Sequence, residues 1–232
     1  MAMIEQIKAA GWAIGEKVGS EAELMIEHGV SRSVIRQAIS MLESQGVVRV
    51  RTGRGGGVVV AEPEAQPFSR ALELYLVARD VNAANILEAK AEVELTVVRL
   101  ATRRRTPESV ARLRAAVARE QKTPRARARD IGADNVHIVL AEMTGNPALH
   151  LFIEALSHLA ATCVPQRAAA ATAQLAYDEH TRIAEAVAAG DEERAVAEMS
   201  AHLGVIEEAF SKRRPLRPAV VKPARSTRSS DG

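Results

Sequence analysis

The chain has 232 residues, 47% of them apolar but only 3% aromatic, and its single cysteine, Cys163, excludes an internal disulfide framework. No apolar run reaches the roughly 18 residues that span a bilayer, and "MAMIEQIKAAGW", with acidic Glu5, lacks the order of regions of a signal peptide. A soluble protein of a reducing cytoplasm is expected, long enough for one large domain or two small ones. Net charge is only +2, but the basic charge is local: Arg32 to Arg54 holds five arginines against one acid, Glu43, and the tail from Lys212 is basic again.

In chain order, residues 3–10 read as a short helix stopped by Gly11. "GSEAELMIEHGV" carries Ser20 and, three residues later, Glu23, the spacing of a capping box, and ends at Gly29. "VSRSVIRQAISMLESQG" restarts at Ser31 as N-cap, buries Val34, Ile35, Ala38, Ile39 and Leu42 on one face, and stops at Gly46. "VVRVR" and "GGVVVAE" flank "TGRGG" and predict a β-hairpin. "AEPEAQP", with two prolines, reads as a linker, and everything after it is helical. A long helix lies in "NAANILEAKAEVELTVVRLATRRR", and the next starts at Thr106 with Pro107 in its first turn. After a polar break come "NVHIVLAEM", "NPALHLFIEALSHLAATCV" and two helices joined at Gly190 with Asp191 as N-cap. Short loops between about six helices imply an antiparallel bundle.

The expected fold is therefore mostly α: a winged helix-turn-helix followed by an antiparallel all-α bundle. The domains read 1–62 for DNA binding, 63–69 as linker, 70–211 as the helical domain and 212–232 as a basic, disordered tail. In a winged helix-turn-helix the second helix enters the major groove and the hairpin tip meets the backbone or minor groove. Ser31, Arg32, Ser33 and Arg36 sit at the N-terminal end of that helix. Arginine pairs bidentately with guanine, while a serine hydroxyl or a helix N-terminal amide holds a phosphate. Glycines around Arg54, notably Gly55 and Gly56, let a hairpin tip fit against a sugar–phosphate chain.

"GSEAELMIEHGVSRSVIRQAISMLESQGVVRVRTGRGGGVVV" resembles the N-terminal domain of GntR-type bacterial transcriptional regulators, and the helical remainder resembles the FCD domain of the FadR-type branch. The resemblance covers about residues 3–210. It implies base or phosphate contacts by Arg32 and Arg36, phosphate contacts by Ser31 and Ser33, and a groove contact by the wing around Arg54–Gly56. The family's "SERELA" is "SEAELM" here, which puts Ala22 where an arginine contacts DNA and implies an altered or weaker operator preference.

The histidines are scattered over the bundle, and their spacing alone assigns them no metal. Asp134 and His137, three apart, share a helix face. The resemblance adds more, because FCD domains commonly bind a divalent metal through one aspartate and three histidines, with an organic acid effector beside it. "HIVLAEMTGN" places His137 on a ligand position, and His180 in "DEHTRIAEAVAAGD" and His202 in "MSAHL" fall on two others. The family's aspartate position is Ala133 here, and Val136 replaces the usual phenylalanine. Three arrangements stay open: Asp134 ligates one residue out of step, with Asp130 a poorer candidate; a water or effector carboxylate fills the gap; or the site holds no metal. Such donors suit Zn²⁺, Ni²⁺ or a similar ion. Lys90 stands where the family often has an arginine facing the effector; the alternative is a solvated lysine. Asn146 reads as a helix cap, and His28, His150 and His158 as structural.

The function implied is a ligand-responsive repressor, not an enzyme. It would bind double-stranded operator DNA as a homodimer, near the nucleoid of a bacterial cytoplasm and away from membranes, under control of a small carboxylate effector. Two alternatives remain at this point: a metal-dependent enzyme in the bundle, although no convincing nucleophile or acid–base pair stands out, and a regulator whose bundle only dimerises.

Overall fold

A computed structural model describes residues 2–53, 55–62, 64–122, 135–163 and 166–210. The chain divides into two compact units, 1–71 and 72–232. No helix among the described residues is long and apolar enough to cross a membrane.

The first unit contains α1 (Ala2–Ala9), β1 (Lys17–Gly19), α2 (Glu21–His28), α3 (Arg32–Ser44), β2 (Val48–Arg51) and β3 (Gly57–Val60). The expected capping box forms: Glu23 N–H donates to Ser20 Oγ at 3.2 Å, and Ser20 N–H donates to the Glu23 carboxylate at 2.6 Å. α3 buries Ile35, Ile39 and Leu42, one stripe at helical spacing, against Leu24, Met3, Ile7 and the valines of the sheet. Val34, expected on that buried face, is half exposed, since it lies one residue outside the stripe. The hairpin pairs Val48 with Val60 and Arg51 with Gly57. At its tip Gly56 is required sterically, because an added Cβ would collide with the Arg51 carbonyl oxygen. β1 adds an antiparallel third strand to β3, giving the order β1-β3-β2.

α4 (Ala65–Ala78) runs through most of the stretch expected as a linker, and the division between the units falls inside it. Pro67 is tolerated because it sits in the first helical turn, where its missing N–H would have no partner.

The second unit continues with α5 (Ala83–Arg104), α6 (Pro107–Lys122), α7 (Val136–Met143), α8 (Pro147–Cys163), α9 (Gln166–Ala189) and α10 (Glu192–Phe210). α7 is the most enclosed: Val136, Ile138, Val139, Leu140, Ala141 and Met143 are all buried. The same core holds Val97, Val98 and Ala101 of α5, Leu113 and Ala116 of α6, Ile153 of α8, Ile183 and Val187 of α9, and Ala195 and Met199 of α10. The many alanines let these helices approach closely, which is how a unit so poor in aromatics encloses a core. Asn146 caps α8, accepting from Ala148 N–H at 3.0 Å. Gly190, at φ +78°, takes the left-handed conformation that turns α9 back into α10.

Candidate metal centre and DNA-reading surface

Five helices bring three histidines and their partners together inside the second unit. His137 lies in the first turn of α7, its N–H donating to the Asn135 side chain at 3.0 Å. His180 on α9 and His202 on α10 stand roughly three turns either side of the Gly190 reversal, so the antiparallel pair sets them at one level. Ring centroids are 5.0 Å apart for His137 and His180, 5.3 Å for His137 and His202, and 4.6 Å for His180 and His202. One ligand atom from each ring lies within 4.8 Å of the other two.

Carboxylates surround the rings. His180 Nδ1 is 2.6 Å from Glu120 Oε2 on α6, and His202 Nδ1 is 2.7 Å from Glu179 Oε2 on α9. The Nε2 atoms of those two histidines face one another at 3.3 Å. His137 Nδ1 is 2.9 Å from Glu94 Oε1 but out of line for a hydrogen bond; it and Glu94 Oε2 are buried without a partner among the described atoms. Glu94 also forms an ion pair with Lys90, one turn earlier on α5. Lys90 is therefore a buried, paired ammonium and not a solvated side chain.

Burial favours the neutral form of two of the rings. Burial pushes the His137 imidazole down, and burial with the neighbouring His180 and His137 pushes His202 down to about 2. For Glu94, burial opposes the charged form, but His137 and Lys90 outweigh it and hold the carboxyl well below the usual carboxylate range. Burial raises Glu179. Three acidic side chains, Glu94, Glu120 and Glu179, and one lysine, Lys90, surround the three imidazoles.

Of the four expected metal ligands, the structure gathers His137, His180 and His202; Asp134 lies outside the described residues. Three carboxylates escaped the sequence reading. Glu94, four residues after Lys90, carried a local signal in its spacing; Glu120 and Glu179 reach His180 and His202 through tertiary packing alone.

On the first unit, Ser31, Arg32, Ser33 and Arg36 are all exposed at the start of α3. Ser31 holds the N-cap position without capping: its hydroxyl contacts Ser33 Oγ at 2.9 Å instead. Arg36 Nε lies 3.7 Å from Glu21 on α2. Arg49 and Arg51 are exposed on β2, Gly55 is exposed at the tip and Gly56 half-buried, while Arg54 lies outside the described residues.

Comparison with known proteins agrees with this layout. Residues 2–58 match the family model "Bacterial regulatory proteins, gntR family", and residues 85–205 match the FCD domain. The HTH-type transcriptional regulator LutR of Bacillus subtilis is 32% identical over 206 residues, covering 85% of this chain and 92% of the relative. The HTH-type transcriptional repressor NanR of Cronobacter sakazakii is 28% identical over 211 residues, covering 87% and 80%. In fold, a Streptococcus agalactiae GntR structure superposes with a TM-score of 0.61 at 19% identity, over 89% of this chain and 96% of that one. These relatives are regulators and not enzymes, and the chain belongs with them: it is a transcriptional regulator of the GntR family, with an N-terminal helix-turn-helix domain and a C-terminal FCD domain.

Proposed function

We propose that the helical unit binds one divalent metal through His137, His180 and His202, that a small organic acid binds beside it, and that this acid weakens the hold of a homodimeric repressor on its operator. The observation that carries the reading is the pair of Nε2 atoms at 3.3 Å. Two nitrogens each about 2.1 Å from one tetrahedral ion stand about 3.4 Å apart. With Nδ1 protons directed at Glu120 and Glu179, both Nε2 atoms present lone pairs to one another, which is repulsive unless a cation lies between them. The buried Glu94 Oε2, which has no hydrogen-bond partner among the described residues, also favours a ligand there. The ion would supply Lewis acidity toward a carboxylate, and Lys90 a second positive charge beside it. Zn²⁺ and Ni²⁺ both suit imidazole donors.

Operator contact falls to Arg32 and Arg36 for bases or phosphates, to Ser31 and Ser33 for phosphates, and to the wing around Arg54, Gly55 and Gly56 for a groove. Two half-sites read by two protomers multiply the few base contacts one domain offers. Effector control then acts as a population shift: the acid binds one state of the dimer more tightly than the other. A gel-shift screen of small mono- and dicarboxylates against metal-loaded protein on its operator tests this. Release by one acid, lost in His180→Ala, is expected. If no acid releases DNA and the protein carries no metal, the bundle serves dimerisation alone.

A further inference from the structure

We infer that Glu120 and Glu179 are the positioning residues of the metal centre, each accepting the Nδ1 proton of one imidazole so that His180 and His202 both turn Nε2 lone pairs toward one cation. This rests on the metal reading above. Each carboxylate reaches its imidazole from another helix: Glu120 on α6 to His180 on α9, at 2.6 Å, and Glu179 on α9 to His202 on α10, at 2.7 Å. A histidine ligand whose other ring nitrogen donates to a carboxylate is fixed in orientation and tautomer and made more basic.

The placement of the two acids supports this role. Glu120 lies in the last turn of α6, where the helix dipole disfavours a carboxylate, so helix stability does not account for it. Glu179 is buried at 5% exposure, a position that costs free energy unless the group is hydrogen-bonded. The opposite tautomer of either ring would set a carboxylate oxygen against an Nδ1 lone pair at hydrogen-bond distance. Glu94 differs from this pair, being out of line with His137 and ion-paired with Lys90.

Two measurements on the full chain test the assignment. In ¹⁵N-labelled, Zn²⁺-loaded protein, two-bond nitrogen–proton correlations should show Nδ1–H at both His180 and His202. Nε2–H at either one, as in a chain where a protonated Glu179 donates to His202, would overturn it. Titration with Co²⁺, followed by its visible absorption, should give Glu120→Gln and Glu179→Gln each a Kd about 10- to 100-fold above wild type, with unchanged far-ultraviolet dichroism. Wild-type Kd values in both variants refute the positioning role while leaving the metal reading intact. Failure of the wild type itself to bind Co²⁺ removes the metal reading and this assignment with it.

Discussion

At the residue scale, the DNA surface and the histidine cluster differ in how far each was visible in the sequence. Exposed Arg36 at the head of α3 needed only the periodicity of one helix to be located. Replacing it with alanine is expected to weaken operator binding by about 1–3 kcal/mol, measured by fluorescence anisotropy at fixed salt; an unchanged Kd would exclude Arg36 from the interface. The histidines were legible one at a time through the resemblance, but their carboxylate partners were not. Glu120 is 60 residues from His180 and Glu179 is 23 from His202, separations at which sequence carries no pairing signal. Removing one imidazole has a specific consequence. Zn²⁺ should raise the Tm of the wild type and raise that of His202→Ala far less, by differential scanning fluorimetry, because a ligand that binds only the folded state stabilises it in proportion to its affinity. Equal shifts in the two proteins would place the metal elsewhere.

At the element scale, helices with strong caps and clean stripes were read correctly, while the elements that depend on distant partners were missed. β1 is three residues long and exists because β3 pairs with it, so no local pattern announces it. α4 was hidden by the prolines around it, although Pro67 in its first turn does not break a helix. The capping box of α2 was legible because both of its partners lie within four residues. Serine-to-alanine at Ser20 should cost about 1 kcal/mol in chemical denaturation. The backbone N–H of Ser20, with Lys17 adding its charge, holds Glu23 down to about 2. A carboxylate whose folded value is depressed stabilises above its unfolded value and loses that contribution as pH falls through the folded one. Stability should therefore decline as pH drops from 4.5 toward 2, and Glu23→Gln should flatten that part of the profile. In α7, Leu140→Ala empties a fully buried site and should cost 2–5 kcal/mol, roughly the range of core leucines; a smaller loss would mean α7 is not the centre of the second core.

At the scale of the whole molecule, the chain divides into two compact units, and its two family matches fall in the corresponding parts of the chain. The resemblance stated from sequence named both parts, since capping, turn and wing motifs are local and the helical pattern is repetitive. What it left open was the oxygen donor of the metal site, because Ala133 stands at the family's aspartate position and Asp134 lies outside the described residues. The three imidazoles, with Glu120 and Glu179 beside two of them, nonetheless lie close enough together to hold one ion. The most direct test is metal stoichiometry: protein stripped with chelator, reloaded with Zn²⁺ or Ni²⁺, desalted and analysed by plasma emission spectrometry beside His180→Ala. About one ion per wild-type chain and a strong deficit in the variant are expected. No retained ion in the wild type, or equal retention in both, would contradict the assignment of His137, His180 and His202 as a metal centre.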